Sequence, residues 1–358
     1  MNLLQRYKYE VLGTAHGNLK VLFLQEDDKM ILNRVIDAIK SSELIVKTLL
    51  EIKPGEEVVL IADPETDMEM VQALAGVIQA SGGEYTITIM PTRPIEKSLD
   101  IPKFIEKGLE AADVVIGMTK ASAAAIYSPV ISRLRKEKGL RQMCMVLRDL
   151  DNWTKGGATA DYHEVFKTAN RLLKIWEKGE EISVTSKRGT NLMAKIGVAP
   201  PFIEAGFAKN RGEEAAFSDG EVSQGLIQGT AQGVIVVDGP IAHIGQPVTP
   251  ICIEVKDGRA VKIEGDEKGA RQLRAIVDKV KDADNLAEIG IGVNPNCLKI
   301  GQFQEEKKSL GNVHIALGRN TGGYGGNIAS MVHLDMVIYE ATVKTDKDIL
   351  LSDGKLCI

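Results

Sequence analysis

An α/β N-terminal domain built on a doubly wound parallel sheet, followed by an α+β, mostly antiparallel C-terminal domain, is the fold class that this sequence predicts. Two observations predict it. Between about residues 40 and 150, nearly continuous apolar runs of strand length alternate with helical stretches, the pattern of a parallel sheet covered on both faces. Around EKGEEISVTSKRGTNL the helices thin out and short strands with glycine turns take over. That change divides the chain into residues 1–180 and 181–358, two domains as its length leads one to expect.

The first thirty residues carry little signal beyond a short apolar run, Val21 to Leu24, and His16 reads as a surface residue. Ile31, Val35, Ile39, Val46, Leu49 and Leu50 suit one or two amphipathic helices. Pro54-Gly55 then turns the chain into EEVVLIAD, a strand at whose end Asp63, before Pro64, reads as a turn former. A helix from about Met68 to Ala80 is stopped by Gly82-Gly83, and Glu84 to Met90 is the next strand. A helix over 101–111, a strand from Asp113 to Met118, a helix near 126–138 and a strand from Arg141 to Leu147 continue the alternation. Chemistry on such a sheet lies beyond its strand ends, near Asp63 or Met118 to Ser122. Neither GxGxxG nor GxxxxGK[ST] follows a strand there, so no nucleotide cofactor is expected. His163, in a helical stretch from about Tyr162 to Trp176, reads as a surface or packing residue. The second domain offers strands at 182–185, 191–197, 233–237, 250–255 and 260–263, an Asp257-Gly258 hairpin signal, and one helix from about Glu267 to Lys281.

The composition is that of an ordinary soluble protein, and a net charge of −5 argues against a general nucleic-acid or membrane surface. A small peptide or small-molecule substrate is expected instead, in a cytoplasmic protein that forms a homodimer. The start lacks the apolar run of a signal peptide, and no stretch approaches the roughly 20 apolar residues that span a bilayer. Cys144, Cys252, Cys297 and Cys357 have no CxxC spacing, which suggests neither a thiolate zinc site nor a disulfide framework.

The chemistry concentrates in GNVHIALGRNTGGYGGNIASMVHLDMV, Gly311 to Val337. His314 lies on one alternating strand, and His333 and Asp335 lie on another, with a glycine-rich loop bearing Tyr324 between them. Side chains alternate across a strand, so His333 and Asp335 share a face and make half of a metal site. Two turn-flanked glutamates, Glu221 in FSDGEVSQG and Glu288 in LAEIGIGVNPN, are candidates for the other half. Beyond Glu288, Gly290 and Gly292 leave one face of a strand bare, so that something can approach closely.

The series SDGEV, AEIGIGVNPN, VHIALG and HLD, in that order, resembles the aminopeptidase T family of thermophilic metalloaminopeptidases. The resemblance is specific over about 180–340, and it implies two divalent ions, zinc, cobalt or manganese, held by Glu221, Glu288, His314, His333 and Asp335. Glu221 or Glu288 would bridge them, and a shared water would attack an amide carbonyl. Glu221 and Tyr324 are the implied catalytic residues, the tyrosine donating to the tetrahedral oxyanion, although Thr321 stands nearer the family's usual offset. The 2,5-dihydroxypyridine 5,6-dioxygenases share this fold superfamily and are similar in length. They imply a ring-cleaving reaction at one iron(II), with a first histidine at or near Glu288 and with His333 and Asp335 from HLD. Glutamate at 288 departs from that pattern and favours hydrolysis; recruiting His314 would restore two histidines and a carboxylate. A small-molecule binding protein with an incomplete ligand set is the non-enzymatic alternative.

Overall fold

Strand, helix and strand alternate along the first half of the computed structural model, which describes residues 9–12, 20–23, 26–120, 125–265 and 268–358. His16, Leu24, Ala121, Ser122 and Glu267 lie outside the described residues. A five-stranded, wholly parallel sheet runs in the order Glu214–Phe217, Arg141–Met145, Val114–Gly117, Glu57–Ala62, Glu84–Ile89. Four of these strands lie where the apolar runs place them. The fifth, EAAF, comes from beyond residue 180 and is too short for its period to be read.

The helices form for identifiable reasons. Met68–Ala80 buries Met70, Val71, Leu74, Val77 and Ile78, a stripe at helical spacing, and ends before Gly82 in the left-handed region. Tyr162–Trp176 starts where the Asp161 carboxylate accepts from the amides of His163 and Glu164, and it buries Tyr162, Val165, Ala169, Leu172 and Trp176. His163 itself is exposed and packs on the Phe207 ring. The helix Glu26–Glu43 departs from expectation, because Ile39 is 39% exposed while Ala38, Ser41 and Ser42 face inward. A π-helical turn, Leu44–Leu49, then shifts the phase and brings Ile45, Val46 and Leu49 into the core. Asp63 is a turn former: its amide donates to Thr66 Oγ1, and its carboxylate accepts from the amide of Glu65 and the hydroxyl of Thr66.

Two antiparallel sheets make up most of the second half. One has eight strands, in the order Arg259–Glu264, Ile251–Lys256, Gln232–Val237, Asn191–Lys195, Glu181–Thr185, Thr342–Thr345, Ile349–Ser352, Lys355–Leu356. The other has five, in the order His333–Ile338, Val313–Gly318, Leu286–Gly292, Glu221–Gly225, Phe202–Glu204. One apolar cluster runs from Leu60 and Ile116 of the parallel sheet through Trp153 and Phe217 to Ile289, Ile315 and Met336. A smaller one, with Ile61, Val115, Ile131 and Leu134, covers the other face of the parallel sheet. Among the described residues no helix is long and apolar enough to cross a membrane.

Candidate metal centre

The register of the five-stranded antiparallel sheet decides which side chains meet. Glu221 pairs with Gly292, Ser223 with Gly290 and Gly225 with Glu288; Gly290 pairs with His314, Glu288 with Ala316, Ala316 with Asp335 and Gly318 with His333. Paired residues point the same way. One face therefore carries Glu221, Glu288, His314, His333 and Asp335, separated only by glycine, alanine and serine. Ile289, Ile291, Ile315, Leu334 and Met336 fill the other face and join the core. The bare positions admit the site itself. A Cβ on Gly290 would lie 2.1 Å from His314 Cε1, and one on Gly292 2.3 Å from the Ser309 carbonyl oxygen. Glu221, read from sequence as turn-flanked, begins a fully buried strand.

The ligand atoms form two groups that share a residue. Glu221, Glu288 and His314 make one, Glu288, His333 and Asp335 the other, with the donor atoms of each group all within 4.8 Å of one another. His333 Nε2 lies 2.7 Å from Glu288 Oε2 and 3.2 Å from Asp335 Oδ1, and His314 Nε2 lies 3.3 Å from Glu288 Oε1 and 3.5 Å from Glu221 Oε2. His333 Nδ1 donates to the Arg319 carbonyl at 2.7 Å, an arrangement that leaves Nε2 as the ligating nitrogen. Buried Glu221 Oε2 and Asp335 Oδ1 accept no hydrogen bond. Unmet carboxylate oxygens, oriented imidazoles and mixed oxygen and nitrogen donors fit a divalent cation.

Two lysines complete the cluster, and the sequence reading missed both. Lys307 Nζ lies 3.0 Å from Asp335 Oδ2 and 3.5 Å from Glu221 Oε1. Lys308 Nζ lies 2.7 Å from both Glu204 Oε2 and Asp219 Oδ1 and 2.8 Å from Glu221 Oε1. Glu204 and Asp219 were missed too. Asp219 stands inside the FSDGEV motif, where it was a readable signal, whereas QEEKKS reads as a solvated charge run and gives none. Glu305, Glu306, Lys307 and Lys308 follow one another from the end of the short helix Phe303–Glu306 into the residues just after it and are all buried.

Opposed fields set the protonation of the cluster. Burial alone would strip Lys307 of its proton, but Asp335 and Glu221 hold the ammonium above the usual lysine range. Burial would raise Asp335, yet Lys307 and His333 keep it ionised; the same opposition, led by Lys307 and the two histidines, holds Glu288 well below its usual range. Burial would lower His333, and Asp335 and Glu288 outweigh it, lifting the imidazole to about 10. Glu204 moves the other way: burial pushes it up to about 7 against Lys308. Tyr324 stacks on the His333 ring at 5.1 Å between centroids, with the Phe202 edge at 5.4 Å. The loop reaches there because Gly225 is bare; a Cβ would meet the Tyr324 carbonyl oxygen at 2.2 Å.

A parallel sheet joined to an antiparallel one that displays carboxylates and imidazoles on one face defines an enzyme-like scaffold. The family model of 2,5-dihydroxypyridine 5,6-dioxygenase matches residues 43–358, and the chain belongs to that family. The structure of 2,5-dihydroxypyridine dioxygenase from Pseudomonas putida KT2440 is similar at a TM-score of 0.73 and 19% identity, over 90% of this chain and 97% of that one. Wild-type AmpT from Thermus thermophilus is similar at 0.66 and 16% identity, over 90% of this chain and 99% of that one. Both show the same fold. Comparison with curated proteins gives no match.

Proposed function

We propose that the protein is a ring-cleaving dioxygenase that works with one divalent iron, held by Glu288, His333 and Asp335. The observation that carries this reading is the pair of ammoniums on Glu221 Oε1, Lys308 at 2.8 Å and Lys307 at 3.5 Å. Two neighbouring dications need anionic ligands between them. Here two fixed ammoniums already neutralise Glu221, a carboxylate that a second cation would use. Membership of the dioxygenase family supports the same choice. When bound, iron(II) supplies open coordination positions at which an electron-rich ring and dioxygen meet. The chain's own residues orient and balance that site. Arg319 fixes the His333 tautomer through its carbonyl, Tyr324 covers the imidazole face, and Lys307 offers positive charge beside Asp335 to an oxyanion of the substrate. His314, fully buried and 3.3 Å from Glu288 Oε1, aligns that carboxylate.

One observation favours the hydrolytic reading: Glu288 belongs to both ligand groups, as a carboxylate bridging two cations would. The iron-loaded protein is expected to consume dioxygen with 2,5-dihydroxypyridine and to leave an aminoacyl p-nitroanilide intact. Release of nitroaniline by a zinc- or cobalt-loaded sample without any dioxygen uptake would overturn the oxygenase reading.

A further inference from the structure

We propose that the outer edge of the parallel sheet, Glu84–Ile89, joins two copies of this chain, by antiparallel pairing of the strand with its own copy about a two-fold axis at Ile87. Such a dimer goes beyond the oxygenase reading and does not depend on it. Among the described residues the strand is bonded on one side only, to Glu57–Ala62. The amides of Glu84 and Met90 donate to the Glu56 and Ala62 carbonyls, each at 2.9 Å. Alternate residues of a parallel ladder turn both backbone groups to the same neighbour. Glu84, Thr86 and Thr88 therefore face Glu57–Ala62, and Tyr85, Ile87 and Ile89 direct their N–H and C=O groups outward. The edges of the larger sheets are otherwise blunted. Arg259–Glu264 carries three charges, Phe202–Glu204 and Lys355–Leu356 are three and two residues long, Glu214–Phe217 is buried beyond its first residue, and Ile241 bridges to Met336 on the last edge. From Tyr85 to Met90 there is no charge, proline, glycine or shift of register. Charges, short strands and cover are what keep sheet edges from pairing, and this edge has none of them.

The edge matches itself. Outward backbone groups pair with outward groups, and the register that uses all three residues on both chains sets Ile87 against the partner's Ile87 and Tyr85 against the partner's Ile89. A slip of two residues either way leaves one of the three unmet on each chain. Tyr85 and Ile89, 40% and 60% exposed, share a face with Ile87, which packs on the main core. Pairing makes these side chains one continuous apolar row, aromatic against β-branched, and sets Thr86 against the partner's Thr88 on the other face; both are favourable cross-strand pairs. A hollow of about 370 Å³, bounded by Gln79, Gly82, Gly83, Glu84 and Tyr85, flanks the start of the strand, opposite the partner's Ile89. Glu84 at the start and Arg93 beyond the end give the edge ends of opposite charge, which antiparallel pairing brings toward each other. A two-fold contact of a surface with itself is the commonest way in which chains associate.

Sedimentation velocity of the full-length protein over a range of concentrations tests this, and the parent is expected to form dimers. Tyr85→Lys and Ile89→Glu each put a charge against an apolar side chain of the partner and should raise the dimer Kd at least ~10-fold. Both side chains are exposed in the single chain, so far-UV circular dichroism and metal content should stay those of the parent. An equimolar mixture of the two variants sets lysine against glutamate across the strand pair, and it should recover dimer at concentrations where each variant alone is monomeric. Mixing would not mend a defect of folding. A parent that sediments as a monomer, a result that needs no variant, would leave the edge to some other occupant and overturn the proposal. So would variants that dimerise as tightly as the parent, or a mixture that associates no better than its components.

Discussion

At the residue scale, His333 carries the behaviour of the centre. Without a cation its imidazole is lifted to about 10 by Asp335 and Glu288 against burial, so near pH 7 it holds a proton on the nitrogen that a metal needs. Metal must displace that proton. Metal affinity should therefore rise with pH, by about 10-fold per unit between pH 6 and 9; competition titrations that find a flat or falling affinity would contradict the assignment. His333→Ala removes the ligand without adding charge, and since losing even an outer-shell partner of a ligand costs about 10–100-fold in metal affinity or activity, the loss here should be at least that large. Metal content and turnover should fall together while far-UV circular dichroism stays that of the parent. His333 and Asp335 were legible in the sequence because a two-residue spacing on a strand fixes a shared face. Lys307 and Lys308 were not, because nothing in EEKK distinguishes a buried charge run from a solvated one; only the carboxylates waiting for them do.

At the element scale, the site is a sheet face kept nearly bare. Gly290 and Gly292 were readable as an invitation to close approach, and the structure gives the visitors: the His314 imidazole at one, the backbone carrying Lys308 and Ser309 at the other. Gly290→Ala would set a Cβ 2.1 Å from His314 Cε1. The imidazole must move, and overpacking of this kind costs about 1–3 kcal/mol. The variant should melt at a lower temperature; a melting temperature equal to the parent's would show that the face has room to spare. The short helix Phe303–Glu306 delivers the ammoniums on which the one-cation reading depends. Replacing Lys307 and Lys308 together by alanine removes both ammoniums from Glu221 and should open the second ligand group, Glu221, Glu288 and His314, to a second divalent ion. Metal analysis that finds the parent stoichiometry in this variant, with the fold intact, would detach the two lysines from the metal count.

At the scale of the whole molecule, the α/β and antiparallel layers were legible because long apolar runs, helical stripes and the Asp257-Gly258 hairpin each announce themselves locally. The return of the chain to the parallel sheet through Glu214–Phe217 was not, since four residues carry no period and their partner, Arg141–Met145, is distant in sequence. That strand couples the layers: Phe217 contacts Trp153 and Tyr162 in the core, and Asp219 and Glu221 follow it directly into the site. Residues 181–358 expressed alone would expose this strand and its apolar face, and they should not give a cooperative thermal transition; a sharp one would show that the second half stands by itself. The central claim, one cation beside two fixed ammoniums, is tested most directly by metal analysis of anaerobically purified parent and Glu221→Gln protein. The account predicts one equivalent of iron per chain in both, because Glu221 is paired with the lysines and does not hold the cation. Two equivalents of a zinc-like metal in the parent, falling to one in Glu221→Gln, would contradict it and return the centre to two-metal hydrolysis.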